Sequence, residues 1–147
     1  LTMFLAMVSY VELYKGGIIP MKEFAQMKKD RDILVRIIVK KAPTHTVYLS
    51  QRNSATDFPV LTCAVGLEEK KVRIVIGARP QKAMLIEKEL ESSFKFKVEE
   101  VEALAEEVQK LVPTGSNMRA SAEYRSHLVK VLTKRALVQV EGDANEN

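Results

Sequence analysis

Apolar residues recur every three or four positions near the end of the chain. Within Met118–Leu137 they lie on one side of a helical projection, at Tyr124, Leu128, Val131, Leu132 and Ala136. This spacing matches the 3.6-residue period of an α-helix and predicts an amphipathic helix with one buried stripe. Ser121 stands just before the stripe, where its hydroxyl can accept a hydrogen bond from a first-turn amide, so we expect it to be the N-cap.

The first half of the chain shows short apolar runs separated by turn residues instead. Val8–Tyr14 alternates and meets Gly16-Gly17, which predicts a hairpin. Asp32–Lys40 is rich in β-branched residues, and we expect a strand covered on much of both faces. Short loops join three further predicted strands, which indicates an antiparallel meander. These strands are Thr46–Ser50, Val60–Leu67 and Val72–Ile76, with a charged turn at residues 68–71.

The spacing of apolar residues changes again after Pro80. A proline at this position suits the first turn of a helix. Ala83, Ile86 and Leu90 share one helical face and predict a first helix, and Val98–Leu111 predicts a second. Met118–Leu137 provides the third. Strands come first and helices last, which is typical of an α+β layer fold. We therefore expect a small antiparallel sheet of three to four strands packed against three helices.

The remaining stretches suggest how the chain is divided. Leu1–Val8 is apolar but too short to span a bilayer, and we interpret it as the first strand of something larger. Met21–Gln26 predicts a short helical turn. Pro43, in the polar stretch between Lys40 and His45, marks a candidate boundary, and the polar segment 141–147 is expected to fray.

Composition narrows the class of protein. The 147 residues are 46% hydrophobic and 29% charged, as in a globular protein rather than a disordered one. The net charge is +4, but the basic residues are dispersed among 19 acidic ones. A nucleic-acid surface would need basic residues clustered on one face. Binding to nucleic acid is therefore not expected.

Residue types also exclude several kinds of site. Cys63 is the only cysteine, so the chain alone can form neither a disulfide nor a cysteine-ligated cluster, and its apolar neighbours predict an inert strand thiol. The glycines form neither a GxGxxG motif nor a P-loop. His45 and His127 lack paired carboxylates, so no metal site is expected. A reducing, cytoplasmic location suits a single thiol.

Two features keep more than one interpretation open. The loop Gln51–Phe58 is polar and lies between two predicted strands, so it either presents hydrogen-bond donors to a ligand or is an ordinary connection. Arg119 and Arg125 flank the start of the last helix and either hold an anion or tie down loop carbonyls. The structural role is the more common one for such arginines.

Four stretches, taken in order, resemble one protein family. They are Gly17–Phe24, Asp32–Lys40, Thr46–Leu67 (TVYLSQRNSATDFPVLTCAVGL) and Arg119–Leu137 with its RASAEYR start. The set is similar to the C-terminal part of the FAD-binding subunit or domain of molybdenum hydroxylases. This family includes the xanthine dehydrogenases and the carbon monoxide dehydrogenase flavoproteins.

The resemblance implies a domain order and an activity. Residues 1–43 would be the end of an FAD-binding subdomain, and residues 44–140 a carbon monoxide dehydrogenase flavoprotein C-terminal-like domain. The parent would be an FAD-dependent oxidoreductase subunit with molybdopterin-binding and iron–sulfur partners. It would pass electrons from the iron–sulfur clusters to an acceptor such as NAD or a quinone. The family's glycine-rich flavin loops have no counterpart here, so this chain alone is expected to be non-catalytic and not to retain FAD.

Two positions carry over as flavin contacts. Leu34 matches an apolar residue that lines the isoalloxazine ring in relatives, and Leu49 falls where many relatives have a lysine. Arg52 matches the arginine of this loop and is expected to support it. An alternative from another class is a free-standing α+β interaction module that binds no cofactor.

Overall fold

The computed structural model of the chain describes residues 1–28, 31–41, 44–68, 70–90 and 96–145. The predicted boundary residue Pro43, and Glu69 of the predicted charged turn, lie outside the described residues. The elements, in chain order, are α1 (Thr2–Ala6), β1 (Ser9–Leu13), β2 (Gly17–Pro20), α2 (Met21–Gln26), β3 (Leu34–Val39), β4 (His45–Gln51), β5 (Leu61–Glu68), β6 (Lys71–Gly77), β7 (Met84–Glu89), α3 (Val98–Leu111) and α4 (Ala122–Asn145).

The strands form two antiparallel sheets. The first has three strands in the order β2-β1-β3, and the second has four in the order β4-β5-β6-β7. The hairpin predicted at Gly16-Gly17 is confirmed as the β1–β2 connection, and Gly17 has a φ of 70°. The meander expected from the three later runs is confirmed as β4, β5 and β6. The α+β class is therefore confirmed, and the described part of the chain forms two sheets rather than one.

The four-stranded sheet is covered on both faces. Every residue of β5 from Leu61 to Leu67 is buried. Cys63 and Ile76 face one layer, which α3 and α4 cover, whereas Ala64 and Val75 face a second layer that includes Leu5 of α1. Apolar residues on both faces exclude water from the middle strands, and this burial is the main source of stability.

Helix α1 approaches the sheet closely because glycine lies beneath it. A Cβ atom built on Gly66 of β5 would come within 2.1 Å of the carbonyl oxygen of Ala6. No real Cβ atom can occupy that position without displacing backbone. Gly66 therefore fixes the distance between α1 and β5.

The first of the three predicted helices is wrong. Met84–Glu89 forms strand β7, which pairs with the open edge of β6 through Ile74–Ile86 and Val75–Leu85. Ile86 packs on the helix side of the sheet, and Leu85 packs on the α1 side. The spacing of Ala83, Ile86 and Leu90 suits a helix, but the segment is apolar on both faces, and pairing with β6 satisfies its backbone as well.

Two expectations about the N-terminal part also fail. The apolar start was expected to be a strand but forms helix α1. As a helix, the segment packs Leu5 and Ala6 onto the sheet while its backbone amides and carbonyls form hydrogen bonds within the helix. Strand β3 forms where expected, but it is not covered as expected: Leu34 is 42% exposed and its neighbour Val35 is 53% exposed. Met21–Gln26 is confirmed as the short helix α2.

The two long helices are confirmed. The hydroxyl of Ser121 accepts a hydrogen bond from the Tyr124 amide at 3.2 Å, which makes Ser121 the N-cap of α4. Tyr124 itself is 44% exposed rather than part of the buried stripe, which instead runs through Leu128, Val129, Leu132, Thr133, Ala136, Leu137 and Val140. Helix α4 continues to Asn145, into the segment expected to fray.

The close approach at Gly66 generates a stability prediction. Gly66→Ala is expected to lower the free energy of unfolding by about 1–3 kcal/mol, because the added methyl group overpacks the contact with Ala6. Urea denaturation followed by circular dichroism measures the change. Gly142→Ala in α4 is the matched control: it meets nothing within 4 Å and should stabilise the helix by up to about 1 kcal/mol. Equal effects of the two substitutions would contradict the packing of α1.

Candidate functional site

The loop before β5 and the segment before α4 meet around one buried arginine. Arg125 is 1% exposed. Its Nε donates to the carbonyl of Val60 at 2.9 Å, and its Nη1 donates to the carbonyls of Gly115 at 2.6 Å and Ala120 at 2.7 Å. Its Nη2 donates to Oδ1 of Asn117 at 2.6 Å. Burial, and secondarily the charge of Arg119, lower the pKa of Arg125. Since all three guanidinium nitrogens are engaged, the prediction that Arg125 ties down loop carbonyls is confirmed.

Loop 51–58 is held in place by its own polar side chains and by Arg119. Arg119 lies with Nε 3.5 Å from Oδ1 of Asp57, and its guanidinium carbon is 5.3 Å from the centre of the Phe58 ring. Asn53 Nδ2 donates to the carbonyl of Arg119 at 3.3 Å. Arg52 Nη1 donates to the carbonyl of Asp57 at 2.9 Å, so Arg52 supports the loop as expected.

The surface of this loop is mixed: Arg52, Asn53, Ser54 and Thr56 are exposed, and so is Phe58. Phe58 is 73% exposed, and Met118, the neighbour of Arg119, is 94% exposed. Of the two interpretations left open for this loop, the ordinary connection is favoured for Arg52 and Asn53, which donate to backbone carbonyls of the protein. Phe58 of the loop and Met118 of the segment before α4 therefore present an aromatic ring and a thioether to solvent, which suits contact with an apolar surface.

Leu34 lies at a cleft on the three-stranded sheet. The cleft measures about 400 Å³ and is open to solvent. Its described lining residues are Leu1, Leu13, Phe24, Ala25, Met27, Lys28, Asp32, Leu34 and Lys82. An apolar floor with a few charged groups at the rim is the usual composition of a site for a small organic ligand.

Two charged residues at the rim fix the local backbone. The Asp32 carboxylate accepts hydrogen bonds from the backbone amides of Lys15 at 3.0 Å, Gly16 at 2.8 Å and Ile33 at 2.8 Å. These bonds, the one from Lys15 first, lower the pKa of Asp32. Lys82 Nζ donates to the carbonyl of Met27 at 3.0 Å, at the end of α2. Sequence reasoning missed both roles, although an aspartate placed to close a Gly-Gly turn could have indicated the first.

Leu49 lies elsewhere. Leu49 pairs with Cys63 in the four-stranded sheet. Its half-buried side chain packs against the core beneath α3 and α4. Leu34 and Leu49 therefore belong to different sheets, and only Leu34 lines the cleft. The role of either residue as a flavin contact stays a prediction.

The other residues considered from the sequence are Cys63 and the possible metal ligands. Cys63 is buried in β5, as expected, and this burial raises the pKa of its thiol to about 12. Among the described residues no three His, Cys, Asp or Glu side chains come together as metal ligands. Within the same residues, every helix is too short or too polar to cross a membrane.

The family of the chain is found by comparison with family models. Residues 46–140 match the family described as the CO dehydrogenase flavoprotein C-terminal domain. This range contains all but the first residue of the four-stranded sheet and most of α4. It also contains the Arg125 junction, where Arg125 links the loop before β5 to the segment before α4. A comparison with curated proteins finds no match.

Solved structures share the fold over nearly the full chain. Carbon monoxide dehydrogenase from Hydrogenophaga pseudoflava matches with a TM-score of 0.80 and 18% identity over 97% of this chain. Quinoline 2-oxidoreductase from Pseudomonas putida 86 matches with a TM-score of 0.78 and 16% identity over 97%. Carbon monoxide dehydrogenase from Oligotropha carboxidovorans gives 0.77 and 14% over 96%. This chain spans 55% of the length of each matched chain.

The Arg125 junction generates a second stability prediction. Arg125→Lys is expected to lower the free energy of unfolding by about 3 kcal/mol, because lysine cannot reach four acceptors and each buried polar group left unpaired costs about 1–3 kcal/mol. The control is Arg135→Lys, an exposed position on the same helix, which should change stability by less than about 0.5 kcal/mol. Indistinguishable urea midpoints for the two variants would contradict the junction.

Asp32 generates a pH-dependent prediction. Its folded-state pKa lies below the unfolded value of about 3.9. The ionised carboxylate therefore stabilises the fold at neutral pH, and this contribution is lost as the pH falls through the folded-state pKa. Asp32→Asn should lower the urea midpoint more at about pH 7 than at about pH 3. A constant difference at both pH values would show that charge is not the cause.

Proposed function

Because the chain belongs to the family of CO dehydrogenase flavoprotein C-terminal domains, we propose that it is part of the FAD-binding subunit of a molybdenum-dependent hydroxylase or dehydrogenase. The observation that carries the proposal is the family match over 46–140. Residues 44–140 are assigned to the C-terminal domain, and residues 1–43 to the end of an FAD-binding subdomain. The solved proteins that share the fold over both parts include carbon monoxide dehydrogenase and quinoline 2-oxidoreductase.

The cleft at Leu34 suits the ring system of a flavin. A flavin ring is flat and apolar on its faces and polar at its edge. Leu13, Phe24 and Leu34 offer an apolar surface, and Lys28 and Lys82 lie at the rim with Asp32. In this proposal these residues would hold the ring, and the bound FAD would supply electron transfer. The protein's part is to bind and orient the ring and to exclude water from its face.

The phosphates of FAD would need other residues. A phosphate cradle requires glycines whose backbone amides are open to a ligand. Gly66 and Gly77 lie beneath α1, where an added Cβ would meet Ala6 and Thr2. Gly16 bonds through its amide to Asp32. We therefore expect the chain to contribute to the ring site, while the phosphates bind to another part of the flavoprotein subunit.

The wider role follows from this assignment. We propose that the parent is an oxidoreductase subunit that passes electrons from iron–sulfur clusters to an external acceptor, and that this chain alone is not catalytic. Its partners would be molybdopterin-binding and iron–sulfur subunits or domains, in the cytoplasm. The exposed Phe58 and Met118 are suited to an interface with such a partner, since aromatic residues and methionine are enriched at interface cores.

Leu49 enters the proposal less directly than Leu34. Its side chain packs on the helix side of the four-stranded sheet. A lysine at this position, as in many relatives, could extend its charged end beyond the core, whereas leucine cannot. The parent is therefore proposed to lack a charged flavin contact that its relatives have.

One observation favours the second candidate, a free-standing interaction module without cofactor. The exposed apolar residues of β3 and of loop 51–58 could serve a protein partner alone. In that case no flavin would accompany the chain and its partner. Flavin content therefore decides between the two functions.

Leu34→Asp provides the direct test of the flavin site. A carboxylate at the cleft would lose water against the apolar face of the ring, so the substitution is expected to lower the FAD content of the purified flavoprotein assembly by at least about tenfold, roughly 1.4 kcal/mol. Absorbance of flavin per protein measures the loss. Val138→Asp is the control, since Val138 is 56% exposed on α4, away from the cleft. Unchanged FAD content in Leu34→Asp, or equal losses in both variants, would contradict the site.

A further inference from the structure

Strand β4 leaves one edge of the four-stranded sheet open. It comes first in the order β4-β5-β6-β7 and, among the residues that the structure describes, it pairs only with β5. Its seven residues include no proline and no Asp, Glu, Lys or Arg. Strand β7 at the other edge carries Glu87, Lys88 and Glu89 in succession, and such charges prevent edge-to-edge pairing. Of the two edges of this sheet, the β4 edge is therefore the one suited to pair with a further strand.

The sequence of β4 is symmetric about its middle residue, Tyr48. The residues on either side of it match in type, namely Val47 with Leu49, Thr46 with Ser50, and His45 with Gln51. An antiparallel strand of the same sequence, centred on Tyr48, therefore places these matched residues opposite each other. Val47 then meets Leu49 on the face beneath the long helices, and Tyr48 meets Tyr48 on the other face. Strand β4 is thus complementary to a second copy of itself.

Thr46 lacks a hydrogen-bond partner that this pairing would supply. Its hydroxyl oxygen is buried and, among the described residues, makes no hydrogen bond. In the symmetric register Thr46 lies opposite Ser50 of the second copy, and hydroxyl residues opposite each other in an antiparallel pair form hydrogen bonds between strands. A change of χ1 rotamer turns the Thr46 hydroxyl toward that strand.

Helix α4 lies on the β4 side of the sheet. It packs on both β4 and β5. Helix α3 lies toward the other edge, where Glu107 forms an ion pair with Lys88 of β7. Lys130 of α4 points toward α3, since its Nζ is 2.9 Å from Oε1 of Glu106. The flank of α4 opposite Lys130 therefore faces the open β4 edge.

This flank of α4 carries apolar residues that are open to solvent. Tyr124, Val131 and Val138 recur on it every seven residues, which is the repeat of helices that pack side by side. Tyr124 is 44% exposed and Val138 is 56% exposed. Val131 and Val138 line an open cleft of about 400 Å³. Arg135 lies between them, and its long side chain can keep its charge in water while its methylenes cover the valines.

We propose that the β4 edge and this flank of α4 together form a docking surface for a second copy of the chain. Two β4 strands pair about a two-fold axis at Tyr48, and the two four-stranded sheets become one sheet of eight strands. Pairing at β4 goes beyond the proposed function and does not depend on it, since Leu34 and its cleft belong to the other sheet.

The geometry of the helices agrees with this dimer. Because α4 packs on β4 and β5, it lies over the space between these two strands. With strands about 4.8 Å apart, the two α4 helices would lie about 10 Å from each other across the axis, which is the spacing of packed helices. Strand pairing and helix packing can therefore form at the same time.

Crosslinking at the symmetry axis tests the proposal in the protein purified with everything bound to it. Tyr48→Cys places two thiols opposite each other, about 5 Å apart at Cβ and within reach of a short bismaleimide. Tyr14→Cys is the matched control, since Tyr14 is another exposed tyrosine, 74% exposed, beside β1. Crosslinked peptides are identified by mass spectrometry. A peptide containing position 48 that is joined to itself can come only from two copies of the chain.

The expected result is this self-joined peptide from Tyr48→Cys and none from Tyr14→Cys. Adding Ser50→Lys should lower the crosslinked fraction by at least about tenfold, because a lysine on an edge strand opposes pairing. Adding Val131→Lys instead should also lower it, because the charge enters the contact between the helices. A crosslink from position 48 to a different polypeptide, equal self-joining from position 14, or an unchanged crosslink in both lysine variants overturns the proposal.

Native mass spectrometry of the unsubstituted protein gives a second readout that does not depend on how a variant folds. The proposal predicts two copies of the chain in each particle. A single copy overturns it, and so does the absence of a crosslink from a Tyr48→Cys protein whose circular dichroism is unchanged.

Discussion

The fold depends on covering β5 from both sides. Leu61 to Leu67 are all buried, so the strand requires one apolar layer above the sheet and another below it. Helices α3 and α4 provide the first layer, and α1 with the three-stranded sheet provides the second. Gly66 allows α1 to reach the sheet, and Arg125 joins the start of α4 to the residue before β5. The same arrangement sets the three-stranded sheet, with the cleft at Leu34, against the family domain.

Sequence reasoning succeeded where one segment decides its own structure. The helical period of α4 and its Ser121 cap, and the Gly16-Gly17 turn, are local signals, and all of them are confirmed. Sequence reasoning failed where the structure of a segment depends on the element packed beside it. Met84–Glu89 has a spacing that suits either a helix or a strand, and only the open edge of β6 selects the strand. Leu1–Val8 is short and apolar throughout, so its period could not distinguish a strand from the helix that packs on Gly66.

The candidate site was accessible to sequence analysis only in part. Leu34 came from a resemblance to a family, and the structure then placed it beside Phe24 and Leu13 in a cleft that no local pattern indicated. Asp32 and Lys82 come from distant parts of the chain to hold this region, and such pairings depend on the three-dimensional fold. The exposure of β3 was also missed, because its run of apolar, β-branched residues is typical of a buried strand.

The distance between Leu34 and the flavin ring in the assembled enzyme tests the central claim most directly. An experimental structure of the flavoprotein subunit with FAD bound would measure it. The account predicts that the Leu34 side chain lies in van der Waals contact with the ring, at about 4 Å, and that Phe24 and Leu13 lie in the same pocket. A flavin bound away from this cleft, with other side chains between it and Leu34, would contradict the assignment.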